Sequence, residues 1–140
     1  MASPIQIREI DHLVLRVRDL EKSLKFYCEV LGCTEERRLD TLGLVQLRAG
    51  RALIDLVPVQ GELGRLGGAP AAEQGRNVDH LALRIEADDV AALLPFLDAQ
   101  GIEYGPIERR YGSEGYGPSI YLKDPDGNVV ELRGAPEAKP

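Results

Sequence analysis

Apolar and polar positions alternate through His12-Leu13-Val14-Leu15-Arg16-Val17, and nearly the same hexapeptide returns as His80-Leu81-Ala82-Leu83-Arg84-Ile85, 68 residues later. Alternation of this kind predicts a half-buried strand. An acidic turn and a helical stretch ending at glycine follow each copy: Asp19 to Leu31 before Gly32, and Asp88 to Gln100 before Gly101. A further pair, Ala52-Leu53-Ile54-Asp55-Leu56-Val57 and Asn128-Val129-Val130-Glu131-Leu132-Arg133, repeats at an offset of 76, so the second copy carries eight extra residues between its helix and last strand.

Period and punctuation fill in the elements. Leu20, Leu24, Tyr27 and Leu31 form one helical stripe, with Asp19 as N-cap and Gly32 as the left-handed terminator. Val90, Leu93, Leu94 and Leu97 form the second stripe, where Pro95 predicts a kink or a late start. Strands are expected at 10–17, 44–49, 52–58, 79–85, 106–110, 118–123 and 128–133, with 33–39 a weaker candidate and Asp124-Pro125-Asp126-Gly127-Asn128 a turn. Each half thus reads as strand, helix and about three strands. The expected organisation is a single domain over 1–140: module one at about 5–60, a glycine-rich linker at about 61–76, and module two at about 77–133. Neither module covers both faces of its own sheet, so the two are expected to share a core or enclose a cleft.

Composition narrows the function classes. With 140 residues and a net charge of −6, the surface repels phosphate backbones, which argues against nucleic acid and anionic membranes as main partners. No apolar run reaches the roughly 20 residues of a membrane span, and Met1-Ala2-Ser3-Pro4 shows no signal-peptide pattern. Cys28 and Cys33 read as reduced thiols, and a cytoplasmic location is expected. Tryptophan is absent and aromatic residues make up 5%, a poor supply for a groove of stacked rings.

The chain's only two histidines, His12 and His80, both open the repeated hexapeptide. On each strand the histidine lies on the face opposite the leucines that pack on the helices. Asp55 and Glu131 occupy matching places in the later repeat, each among apolar neighbours. A strand histidine by itself is commonly a hydrogen-bonded structural residue, and a strand carboxylate a solvated one. Here all four recur at equivalent positions. Two imidazoles and two carboxylates suit one divalent transition ion per site: nickel, zinc, manganese or iron. On strand parity Gln46, Arg16, Arg84, Tyr121 and Ser119 face the same cleft, with Gln46, Tyr121 and Ser119 candidates for substrate contact. The Gly112–Gly117 loop is a candidate lid carrying Tyr111 and Tyr116, the latter also a candidate substrate contact. Its alternative is an ordinary surface loop.

Over roughly residues 5–133 these features resemble the vicinal oxygen chelate superfamily, which includes glyoxalase I, extradiol dioxygenases, fosfomycin-resistance thiol transferases and bleomycin-resistance proteins. The resemblance is carried by Ile10 to Leu20, Ser23 to Tyr27, Val30-Leu31-Gly32, Asp79-His80-Leu81-Ala82, and Asp124 to Asn128 leading to Glu131. It implies an α+β fold of two βαβββ modules forming an open, cupped mixed sheet around a metal. His12, His80 and Glu131 match ligand positions. Asp55 stands where glyoxalase-like members carry a glutamate; being a methylene shorter, it binds the metal directly, through water, or supports a ligand from behind. Four ligands imply a glyoxalase-like lyase or isomerase, and three imply a ring-cleaving dioxygenase or a thiol transferase. Glu131 is the expected catalytic base, with Asp55 second. The implied partner is a small oxygen-bearing substrate, and the implied assembly a homodimer. The competing expectations are a non-enzymatic binder of the bleomycin-resistance type and a metal-free relic.

Overall fold

The two repeats form two sheets of the same design. In the computed structural model, which describes residues 1–139, the chain divides into two units with the boundary after Pro70. This boundary lies inside the glycine-rich stretch expected to link the modules.

The first unit runs β1 (His12–Val17), α1 (Leu20–Leu24), β2 (Thr34–Leu39), β3 (Leu44–Ala49) and β4 (Ala52–Pro58). Its sheet has the order β1-β4-β3-β2, parallel between β1 and β4 and antiparallel elsewhere. Strand β2, the weak candidate, forms because β3 offers it a full edge. A bulge between Glu35 and Arg37 shifts its register.

The expected helix over 19–31 forms in two parts. Asp19 caps α1 by accepting from the Lys22 amide at 3.1 Å. Beyond Leu24 the backbone widens into a π-helical segment, Lys25–Val30, closed by Leu31 donating to the Phe26 carbonyl at 3.0 Å. The wider turn rotates the stripe, so adjacent Phe26 and Tyr27 are both buried, in edge-to-face contact at 5.0 Å. They join Val17, Val45, Leu47, Ile54 and Leu56 in this unit's core. Gly32, at φ 81°, ends the segment in the left-handed conformation.

The second unit runs β5 (Leu81–Arg84), α2 (Leu94–Ala99), β6 (Glu108–Gly112), β7 (Gly115–Lys123) and β8 (Val129–Arg133), with sheet order β5-β8-β7-β6. Its core holds Val90, Leu97, Ile120, Leu122, Val130 and Leu132. The late helix start expected from Pro95 is present: a single tight turn, Val90–Leu93, precedes α2, and the proline sits at the start of α2, where no amide is needed. The extra length of the second copy lies mainly in 102–107, before β6, and in the turn between β7 and β8.

Two expectations need correction. Strand 106–110 forms instead as Glu108–Gly112. The Gly112–Gly117 segment is a tight hairpin rather than a lid, because Gly112 pairs with Gly115 and Tyr111 with Tyr116 across its turn. Among the described residues no helix is long and apolar enough to cross a membrane.

Candidate functional site

The sheet register places each candidate donor pair on one face. In the first unit Val14 pairs with Asp55, and Asp55 with Gln46, so His12, Asp55 and Gln46 share the face turned away from the core. Asp55 is 3% exposed. Its Oδ2 accepts from Gln46 Nε2 at 3.0 Å, while Oδ1 is buried with no hydrogen-bond partner.

In the second unit Glu131 pairs with both Ala82 and Tyr121, which makes Tyr121 the positional counterpart of Gln46. Glu131 is buried, and its Oε1 lies 3.6 Å from His80 Nε2. Arg133 donates to Oε2 at 3.0 Å. The Tyr121 ring meets His80 edge-on at 5.4 Å and carries the Arg110 guanidinium 4.2 Å above it. Burial and then the neighbouring Glu131 charge push the Tyr121 phenol above its usual range.

Both imidazoles are oriented by the residue just before them. His12 Nδ1 lies 2.6 Å from Asp11 Oδ2, and His80 Nδ1 lies 2.7 Å from Asp79 Oδ2. An ionised carboxylate only accepts, so Nδ1 carries the hydrogen, and in the neutral imidazole Nε2 keeps its lone pair. The Asp11 hydrogen bond also raises the His12 pKa above its ordinary value; burial opposes this, and the Asp55 charge adds to it. Sequence reasoning assigned these aspartates no role, although the Asp-His dipeptide itself repeats.

The other expected contacts separate. Ser119 is fully buried and its Oγ accepts from Arg110 Nη1 at 2.9 Å, so its hydroxyl is taken up by Arg110. Tyr116 lies on the opposite face of β7 from Ser119 and Tyr121. It is exposed, under the Arg109 guanidinium at 3.7 Å and beside Tyr111. Arg16 and Arg84 anchor loops. Arg16 donates to the Gly64, Gly68 and Ala69 carbonyls, and Arg84 pairs with Glu114 at 2.9 Å. Tyr121 also lines a cavity of about 660 Å³ with Ile102, Tyr104, Lys123 and Val129, a lining that includes neither His80 nor Glu131.

The donor chemistry fits a divalent transition ion. Each unit presents one imidazole oriented through Nδ1 and one buried carboxylate, and the buried, unpartnered Asp55 Oδ1 is the kind of oxygen a cation would satisfy. Two donors at about 2.0–2.2 Å from one ion stand roughly 3–3.5 Å apart. The 3.6 Å between His80 Nε2 and Glu131 Oε1 is close to that. Aspartate behind each histidine is the usual outer support of a metal-bound imidazole. Among the described residues no three such side chains are gathered into one group, and the donor pair in contact is His80 with Glu131.

Comparison with known proteins agrees with this architecture. A probable lactoylglutathione lyase of Synechocystis is 30% identical over 131 residues, covering 86% of this chain and 91% of its own. Lactoylglutathione lyase of Haemophilus influenzae is 30% identical over 132 residues, covering 89% and 90%. Among solved structures, an integron cassette protein from the mobile metagenome of V. cholerae superposes with a TM-score of 0.71 at 30% identity, covering 93% of this chain and 97% of that one. Residues 9–132 match the profile of the glyoxalase/bleomycin resistance protein/dioxygenase superfamily, and the chain, with its two βαβββ sheets, belongs to that superfamily.

Proposed function

We propose that this protein is a metal-dependent lyase or isomerase of the glyoxalase type. The reading rests on one observation above others: each repeat pairs an aspartate-oriented imidazole with a buried carboxylate. His12, Asp55, His80 and Glu131 are the proposed ligands of one divalent ion, nickel, zinc, manganese or iron, in a homodimer. Asp55 is included because its Oδ1 has no other partner. When bound, the ion supplies Lewis acidity to a substrate oxygen.

The chain's own residues do the rest. Glu131, with Oε1 released from ligation, takes a proton from the hydroxyl-bearing carbon next to a substrate carbonyl and returns it to the former carbonyl carbon, while the hydroxyl proton passes to the former carbonyl oxygen, leaving an isomer of the starting compound. Gln46 holds Asp55 in place through Oδ2. Tyr121 touches His80 and also lines the 660 Å³ cavity. We assign that cavity to the organic part of the substrate, with Tyr121 as its contact.

The relatives named lactoylglutathione lyase suggest the first substrate to try, the hemithioacetal of glutathione and methylglyoxal. Chelator-stripped protein is loaded with each of the four metals, metal content is measured, and thioester formation is followed. Tight binding of about one metal per proposed site, with turnover lost in Glu131→Gln, supports the proposal. Failure to bind any of the four ions overturns it in favour of a small-molecule binder. Metal binding without thioester formation overturns this substrate and directs the search to ring cleavage or thiol transfer.

A further inference from the structure

Arg133 has no part in the donor set, yet it is among the most enclosed charged side chains on that face, 12% exposed. Its Nη1 donates to Glu131 Oε2 at 3.0 Å. Its Nη2 reaches the carbonyls of Arg110 and Gly115, each at 3.1 Å. The guanidinium lies against Gly112, where a β-carbon would come within 2.6 Å of Cζ. The planar fork is therefore held from two sides by hairpin carbonyls and seated in a notch that only glycine leaves open.

We propose that Arg133 is a positioning residue that restricts Glu131 to one-oxygen ligation. With Oε2 committed to the guanidinium, Oε1, 3.6 Å from His80 Nε2, is the oxygen turned toward the other donor, while the Tyr121 hydroxyl also reaches the Glu131 carboxylate. The hairpin contributes through the two carbonyls that anchor the fork. This inference rests on the reading of Glu131 as a ligand.

The charge of Arg133 repels a nearby dication while its geometry favours binding, so the test holds charge constant. Arg133→Lys keeps the cation but cannot satisfy three acceptors in fixed directions. Gly112→Ala changes no charge and displaces the guanidinium. Cobalt(II) is titrated into chelator-stripped protein, and both affinity and the visible d–d spectrum are recorded. Each variant is expected to weaken cobalt binding about ten-fold or more, the usual scale for outer-shell partners, and to change the d–d band as the carboxylate becomes free to bind through both oxygens. The double variant is expected to lose little beyond either single one, since both act on the same contact.

Wild-type affinity and spectrum in both variants, while Glu131→Gln weakens binding, would overturn the role of Arg133 and leave the ligand reading intact. Unchanged affinity in Glu131→Gln would overturn both. If Arg133→Lys does not fold, as judged by circular dichroism without metal, Gly112→Ala decides the question alone.

Discussion

Asp55 is the place where stability and function pull in opposite directions. Its carboxylate is 3% exposed, with one oxygen held by a single neutral amide and the other unpartnered. A buried polar atom left without a partner costs about 1–3 kcal/mol, and more when charged. Asp55→Asn keeps the shape and lets the new Oδ1 accept from Gln46, but it leaves an amide where the orphan oxygen was. The relief is therefore partial, and about 1–2 kcal/mol of added stability is expected without metal. At roughly 3 °C per kcal/mol for a chain of this length, the melting temperature rises by about 3–6 °C. With metal the order reverses. A ligand at a hundred times its Kd adds about 2.7 kcal/mol to a protein that binds it, and the variant forfeits most of this. Urea unfolding of both proteins, with chelator and with saturating zinc, measures the two differences. If Asp55→Asn is the less stable protein in chelator by 1 kcal/mol or more, the orphan oxygen is not the burden described here.

Three further outcomes are expected. Asp11→Asn and Asp79→Asn each weaken metal binding about 10- to 100-fold in isothermal titration, because each carboxylate fixes the imidazole that follows it. Burial pushes the Cys33 thiol up to about 11. The unfolded thiol ionises near 9, so the stability from keeping Cys33 neutral is full below that value and lost as pH rises through about 11. Urea midpoints should fall over that window in wild type and fall less in Cys33→Ala, and Cys33 should resist alkylation at pH 8. Gly64→Ala should destabilise by about 1–3 kcal/mol in thermal melts, since its β-carbon would fall 1.8 Å from the Pro58 carbonyl oxygen.

The repeat made the architecture readable because alternating strands and a capped helix are written locally, in His12–Val17, Asp19 and Gly32. Parity likewise puts His12 and Asp55 on one face of the first sheet, and His80 and Glu131 on one face of the second. What escaped depends on tertiary contact. The widening of the helix after Leu24 follows from seating both Phe26 and Tyr27 against the sheet, which helical periodicity does not encode. The hairpin at Gly112–Gly117 escaped because its glycines signal freedom, whereas one of them makes room for Arg133. Parity grouped Ser119 with Tyr121 correctly but could not show that the serine hydroxyl is spent on Arg110. Asp11 and Asp79 were in plain view, yet their role emerges only once the Nδ1 atoms are seen facing them.

The aspartate that steers each imidazole is its immediate chain neighbour, and the amide or guanidinium that steadies each carboxylate comes from the same sheet. Aim is therefore a heritable property of the single module. Duplicating an ancestral gene would copy the aimed donors along with the scaffold, and either copy could then drift in its carboxylate, aspartate in one and glutamate in the other, without spoiling its sibling.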